Sequence, residues 1–272
     1  MAENQNISDN PLYRTLAIVT DGTTLHAMER SKVDDSDCTS YPVTLDPTAG
    51  STLAALEEAV YSVPSLLSDY AQVDVLFRTP SFTILPSELK ESAEAAATIA
   101  GILGEDDVLH VDTISGVDAM MVWTLPTDIH NFIARTFRKP RLRHPLSMLG
   151  SYFARKCPLG NSAKTFVHFN GNSSVDIIAF SSDGRLLSMA TKTTPTDNDA
   201  LYMILATLRD NHFGMGTDEL FLCGDHARRE VLTPTLRRYI RSVLPLIFPS
   251  AAYRTGDAAS APFPLIILPL CE

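Results

Sequence analysis

Apolar residues along this chain fall into short runs with strand-like alternation, separated by turn residues and by longer stretches at helical spacing. Leu16–Met28 predicts two strands, LAIVT and TLHAM, around Asp21-Gly22, a dipeptide that favours a tight hairpin turn. A polar stretch with Asp34, Asp35 and Asp37 follows. Thr52–Tyr70 sets Leu53, Leu56 and Val60, then Val63, Leu66 and Leu67, at helical spacing, with Pro64 as a break. Val73–Arg78 reads as a strand and Pro86–Leu103 as an Ala- and Glu-rich helix. Val108–Pro126 supplies two further strands, DVLHVDTI and DAMMVWTL, and Asp128–Phe137 another helix.

The order then repeats. Thr165–Phe180 predicts strands TFVHF and VDIIAF around Asn170-Gly171, and Arg185–Thr191 a third strand. Thr196–His212 is a helix with Leu201, Ile204, Leu205 and Leu208 on one face. Asp197 or Asp199 falls in its first turn, where the helix dipole favours a carboxylate. Glu219–Cys223 is a strand, Glu230–Val243 a helix and Pro264–Leu270 a final strand. The two glycine hairpins stand 149 positions apart, from 21 to 170, and each is followed by strand, helix, strand, helix and strand. The simplest reading is an α/β chain of two similar halves: a loose stretch 1–12, a first domain 13–140 and a second 141–272.

Charge sharpens this division. The 272 residues carry 22 Lys+Arg against 32 Asp+Glu, a formal charge of −10, yet residues 1–134 hold 21 acids and 5 bases while residues 135–272 hold 11 and 17. The first part is therefore acidic and the second basic. A chain 45% apolar and 20% charged is neither disordered nor collagenous. The opening MAENQNISDNPLYR has no basic or apolar leader region, and no apolar run approaches the roughly 18 residues that span a bilayer. The sequence thus reads as cytoplasmic, without membrane insertion. Cys38, Cys157, Cys223 and Cys271 are widely spaced and show no metal-ligand pattern, consistent with reduced thiols.

Four segments carry a family resemblance: LAIVTDGTTLHA (16–27), SFTILPSEL (81–89), TDNDALYMIL (196–205) and LFLCG (220–224), the last followed by an Arg-rich helix. They resemble a bacterial family of unassigned function, known largely from Bacteroides relatives. The likeness extends over about residues 12–270. It implies the actin-like ATPase fold, with two ribonuclease H-like halves in βββαβαβα order.

That fold's active members hold ATP through three parts, and the resemblance places each of them here. The first phosphate hairpin, typically D-x-G-[TS], falls on Asp21, Gly22 and Thr23. The second, typically D-x-G-G-G-T, falls on Asn170, Gly171, Asn172 and Ser173, with Phe169 where a metal-linked Asp is expected if Asp176 takes the Asp after the hairpin. The adenosine-contacting Gly-Gly pair falls on Cys223-Gly224-Asp225, which keeps only Gly224. The physical requirement is clustered amides for the phosphate and carboxylates for hydrated Mg²⁺. All three parts depart from the pattern, which implies vestigial nucleotide motifs. The expectation is no cofactor and a non-catalytic interaction or scaffold protein whose partner is another protein. A working ATPase or phosphotransferase with ATP and Mg is the alternative.

Other chemistries find less support. No half offers the converging carboxylates of a two-metal nuclease, there is no G-x-S-x-G, and the seven histidines are scattered. Arg135, Arg138, Lys139, Arg141 and Arg143 form a run of five bases without an intervening acid, at the join between the halves; Arg228, Arg229, Arg237, Arg238 and Arg241 form a second set. Such clusters bind phosphates, RNA or an acidic partner, or face acidic surface of the same molecule. With a net negative chain and no RNA-binding signature, nucleic acid is the weaker of these.

Overall fold

Within the computed structural model, which describes residues 10–34, 36–157, 159–171, 173–247 and 261–271, the first hairpin forms where the Asp-Gly turn places it. β1 (Arg14–Thr20) and β2 (Leu25–Ser31) pair antiparallel, and Gly22 adopts φ +82°, a conformation that favours glycine. β3 (Cys38–Val43) continues antiparallel beyond β2. α1 (Thr52–Tyr61) starts where Ser51 Oγ accepts the Ala54 N–H, and it buries Ala55, Leu56, Ala59 and Val60. Pro64 opens a separate 3₁₀ turn, Pro64–Leu67, so the expected break is real.

β4 (Gln72–Phe77) runs parallel to β1. β5 (Phe82–Leu85) leads through a 3₁₀ stretch, Ser87–Ser92, into α2 (Ala93–Ile99), which is shorter than the Pro86–Leu103 helix expected. β6 (Asp107–Ile114) and β7 (Ala119–Pro126) join β5 in a three-stranded sheet of order β5-β7-β6. α3 (Thr127–Thr136) then leads to β8 (Arg141–Arg143), which lies parallel to β4. The first five-stranded sheet has the order β3-β2-β1-β4-β8.

α4 (Pro145–Ala154) precedes a second sheet built from β9 (Lys164–Asn170), β10 (Ser174–Phe180) and β11 (Leu186–Thr193) as an antiparallel meander. α5 (Asp197–Asp210) opens with a capping box, Thr196 and Asp199 each satisfying the other's backbone N–H. β12 (Glu219–Gly224), α6 (His226–Leu236) and β13 (Ser242–Pro245) complete the order β11-β10-β9-β12-β13. This is the topology of the first sheet again: a three-strand antiparallel meander with two strands added in parallel to its first member.

The core of this second sheet lies on one face. Val167, Phe169, Val175, Ile177, Leu220 and Leu222 pack against Ala200, Ile204 and Leu208, which recur every four residues along α5. On the other face Phe166 stacks between Phe153 of α4 at 4.4 Å and Phe221 at 5.0 Å. α4 is apolar on nearly every side, and Leu146, Met148, Leu149, Tyr152 and Phe153 are buried. A helix without a polar face gives no 3.6-residue alternation, and the sequence therefore showed only a join here.

Two expectations fail for identifiable reasons. Pro264–Leu270 is not a strand but α7 (Phe263–Ile267) followed by a 3₁₀ turn. Pro264 sits in the first helical turn, where its missing N–H costs nothing, whereas it would remove a ladder bond from a sheet. The helix expected over Glu230–Val243 begins at His226, because Asp225 Oδ1 accepts the Arg228 N–H at 2.9 Å, and ends before the strand β13.

The described residues cluster into two compact units. One draws on residues 10–112, 121–145 and 261–269; the other on 113–120, 146–247 and 270–271. No helix among the described residues is long and apolar enough to cross a membrane. All four cysteines are unbridged.

Candidate functional site

The first hairpin closes on itself. Asp21 Oδ1 accepts the N–H groups of Thr23 at 2.9 Å and Thr24 at 2.8 Å, and also both threonine hydroxyls, at 2.8 and 3.1 Å. The Gly22 N–H donates to Thr20 Oγ1 at 3.0 Å. Every amide of the turn from Gly22 to Thr24 is thus satisfied by a side chain of the same hairpin. Partial burial works to raise the Asp21 carboxyl, but the four donors hold it below the usual carboxylate range. Gly22 also packs closely: a Cβ there would stand 2.5 Å from Thr52 Cγ2 at the start of α1.

The second hairpin is anchored rather than open. Gly171, at φ +49°, and Ser173 are exposed at its tip, and Ser173 O accepts the Thr194 N–H at 2.8 Å. Asn172 lies outside the described residues. Asn170 turns inward and donates to Asp176 Oδ2 at 2.8 Å. Phe169 points into the core, 1% exposed.

Beneath this hairpin lies a buried cation. Arg228, on the first turn of α6, is 5% exposed. Its guanidinium donates to Thr194 O (3.0 Å), Thr194 Oγ1 (3.2 Å), Thr196 O (3.2 Å) and Asp197 Oδ1 (3.2 Å), and lies 3.5 Å from Gly171 O. It also sits over the Phe169 ring, 5.7 Å from the centroid. The sequence marked Arg228 only as one of an Arg-rich group.

At the third position Gly224, with φ +86°, makes a close backbone approach: a Cβ would fall 2.2 Å from Phe169 O. The next residue, Asp225, donates its N–H to that same carbonyl at 3.0 Å and uses its carboxylate to cap α6.

Strand register assembles one group that the sequence left scattered. Thr191, Asp176, His168 and Cys223 are register partners across β11, β10, β9 and β12. The fully buried Asp176 accepts from Thr191 Oγ1 at 2.7 Å and stands 3.1 Å from His168 Nδ1. Burial, and after it the Asp176 charge, pushes the Cys223 thiol well up, away from the reactive thiolate. In the sequence Asp176 and His168 show only as single polar residues inside apolar strands.

The basic run is divided. Arg141 forms a two-pronged pair with the buried Asp74, Nε to Oδ1 at 2.7 Å and Nη2 to Oδ2 at 2.8 Å, on adjacent strands. Arg135 pairs with Glu57. Arg138 and Lys139 are exposed, and Arg143 is half-buried. No group of three His, Cys, Asp or Glu side chains among the described residues could hold a metal ion.

Two sheets of one topology, each opening on a glycine hairpin, define the actin-like ATPase fold. The chain is similar to a Bacteroides thetaiotaomicron VPI-5482 protein with an actin-like ATPase fold and unknown function, at 20% identity and a TM-score of 0.78, covering 94% of this chain and 96% of that one. It is also similar to a structure of the PilM–PilN type IV pilus biogenesis complex, at 11% identity and a TM-score of 0.64, covering 94% of this chain and 97% of that one. Residues 20–243 match a family model described as "Protein of unknown function (DUF3822)", and the chain belongs to that family. No curated protein matches the sequence.

Proposed function

We propose that this protein is a non-catalytic, protein-binding member of the actin-like fold, acting in the cytoplasm, with nucleotide hairpins that serve its own structure. The observation that carries this reading is Asp21, whose carboxylate occupies the turn amides that a phosphate would need. The other two positions agree with it. Asp176, beside the second hairpin, is buried and bonded to its neighbours, and the Gly224 backbone is pressed against Phe169. These residues do not fit a Mg-nucleotide, so no chemical step is assigned to one. The likeness to PilM, a protein described in complex with PilN, supports a protein partner as the role of such a fold.

The test is a calorimetric titration of the full chain with Mg-ATP. No binding heat is expected into the millimolar range, for wild type and for Asp21→Ala alike. Micromolar binding that Asp21→Ala abolishes would overturn the proposal and favour an ATPase or phosphotransferase.

A further inference from the structure

The charge division of the chain has a surface counterpart in each unit. In the first, Glu88, Glu91 and Glu94 lie exposed along the 3₁₀ stretch and α2, with Lys90 among them and with Leu89 (46% exposed) and Ile99 (88%) alongside. None of the three glutamates makes an ion pair among the described residues. In the second, α6 runs through an exposed turn into the edge strand β13. There Arg237, Arg238 and Arg241 are exposed together with Tyr239 (57%), Leu244 (37%) and Ile247 (83%). None of these three arginines pairs with an acid among the described residues; the Arg237 Nη2 group donates to Val243 O at 3.2 Å.

Each patch is therefore about a dozen residues long and has large apolar side chains beside its charges; the first carries three glutamates against one exposed lysine, Lys90, and the second three arginines with no acid. Arginine and tyrosine beside exposed aliphatic groups are the composition of an interface centre. We infer that the occupant of each patch is the other patch on a second copy of this chain, the Arg237–Ile247 surface of one molecule meeting the Glu88–Ile99 surface of the next. Charge complementarity favours this occupant, because one sequence supplies both members of the match. A nucleic acid would meet only the basic patch, on a chain of net charge −10. The contact does not depend on whether nucleotide binds.

Sedimentation velocity of the full chain, from about 5 to 200 µM and at low and high salt, tests the inference. The weight-average mass should rise with concentration, and the apparent dissociation constant should weaken roughly tenfold on going from 50 to 500 mM salt, as screening shortens the reach of exposed charges. Arg238→Glu with Arg241→Glu should be monomeric, and so should Glu91→Arg with Glu94→Arg, each with a wild-type far-UV spectrum. Mixing the two variants pairs an intact acidic patch with an intact basic one and should restore association. A wild-type protein that stays monomeric at 200 µM overturns the inference. So does association that persists in either reversed variant, or a mixture of the two folded variants that fails to associate.

Discussion

Replacing Arg228 by Met tests whether the second hairpin is held by one buried cation. The guanidinium makes four hydrogen bonds of 3.0–3.2 Å, two of them to the carbonyls of Thr194 and Thr196, which enter α5. Methionine matches the stem in length but leaves those carbonyls without the donor and Asp197 without its partner. A lost bond from a charged donor costs about 1.5–3 kcal/mol net, and removing one member of a buried pair about 3–5 kcal/mol. Asp197 is 44% exposed and regains water, which places the total near the low end, at about 3–4 kcal/mol. For a unit of roughly 100 residues that corresponds to a fall in its unfolding midpoint of about 10–20 °C. Arg228→Lys keeps the charge but not the planar fork, and should recover about half of the loss. Urea unfolding followed by circular dichroism measures the stability. Amide exchange should speed up in residues 170–174 and 194–199 before it does elsewhere. An Arg228→Met protein within 1 kcal/mol of wild type, with unchanged exchange in those two segments, would refute the account of Arg228 as the clamp of this hairpin.

Two further outcomes follow from single positions. Gly224→Ala should destabilise the second unit by at least about 3 kcal/mol in the same urea assay, because the new Cβ meets Phe169 O at 2.2 Å and φ is +86°; a loss below 1 kcal/mol would show that the β9–β12 ladder yields there. Burial, and secondarily His130, pushes the His110 imidazole down to about 4. The unfolded chain therefore binds more protons below about pH 6.5, and stability should fall between about pH 6.5 and 4, by at most about 3 kcal/mol and nearer 1–2 after allowance for its partial solvent access. His110→Phe should flatten the unfolding free energy across that window, leaving the same-signed slope of His26, which burial also lowers; an unchanged slope counts against His110.

Features under short-range control were readable from neighbouring residues. Both glycine hairpins, the alternating strands, the break at Pro64 and the α5 cap are written in residues a few positions apart, and so is the repeat that pointed to two similar halves. The self-closure of the first hairpin was not read from the sequence: Asp21-Gly22 marked a turn, and only the folded hairpin brings the carboxylate onto the Thr23 and Thr24 amides. α4 was hidden because an all-apolar helix has no periodic contrast, and α7 because two prolines in an apolar run suit a helix start as well as an interrupted strand.

Tertiary structure alone decided which charged groups meet. Asp74 and Arg141 are 67 positions apart and become neighbours only when β8 lies along β4. Arg228 reaches carbonyls 32 and 34 positions away, and the row from Thr191 to Cys223 exists only through the register of four strands. A burial-driven fold fixes these pairings because a buried charge must find its partner wherever the sheet order brings one. That selection separated the interior arginines from the exposed ones, a distinction no count of basic residues contains.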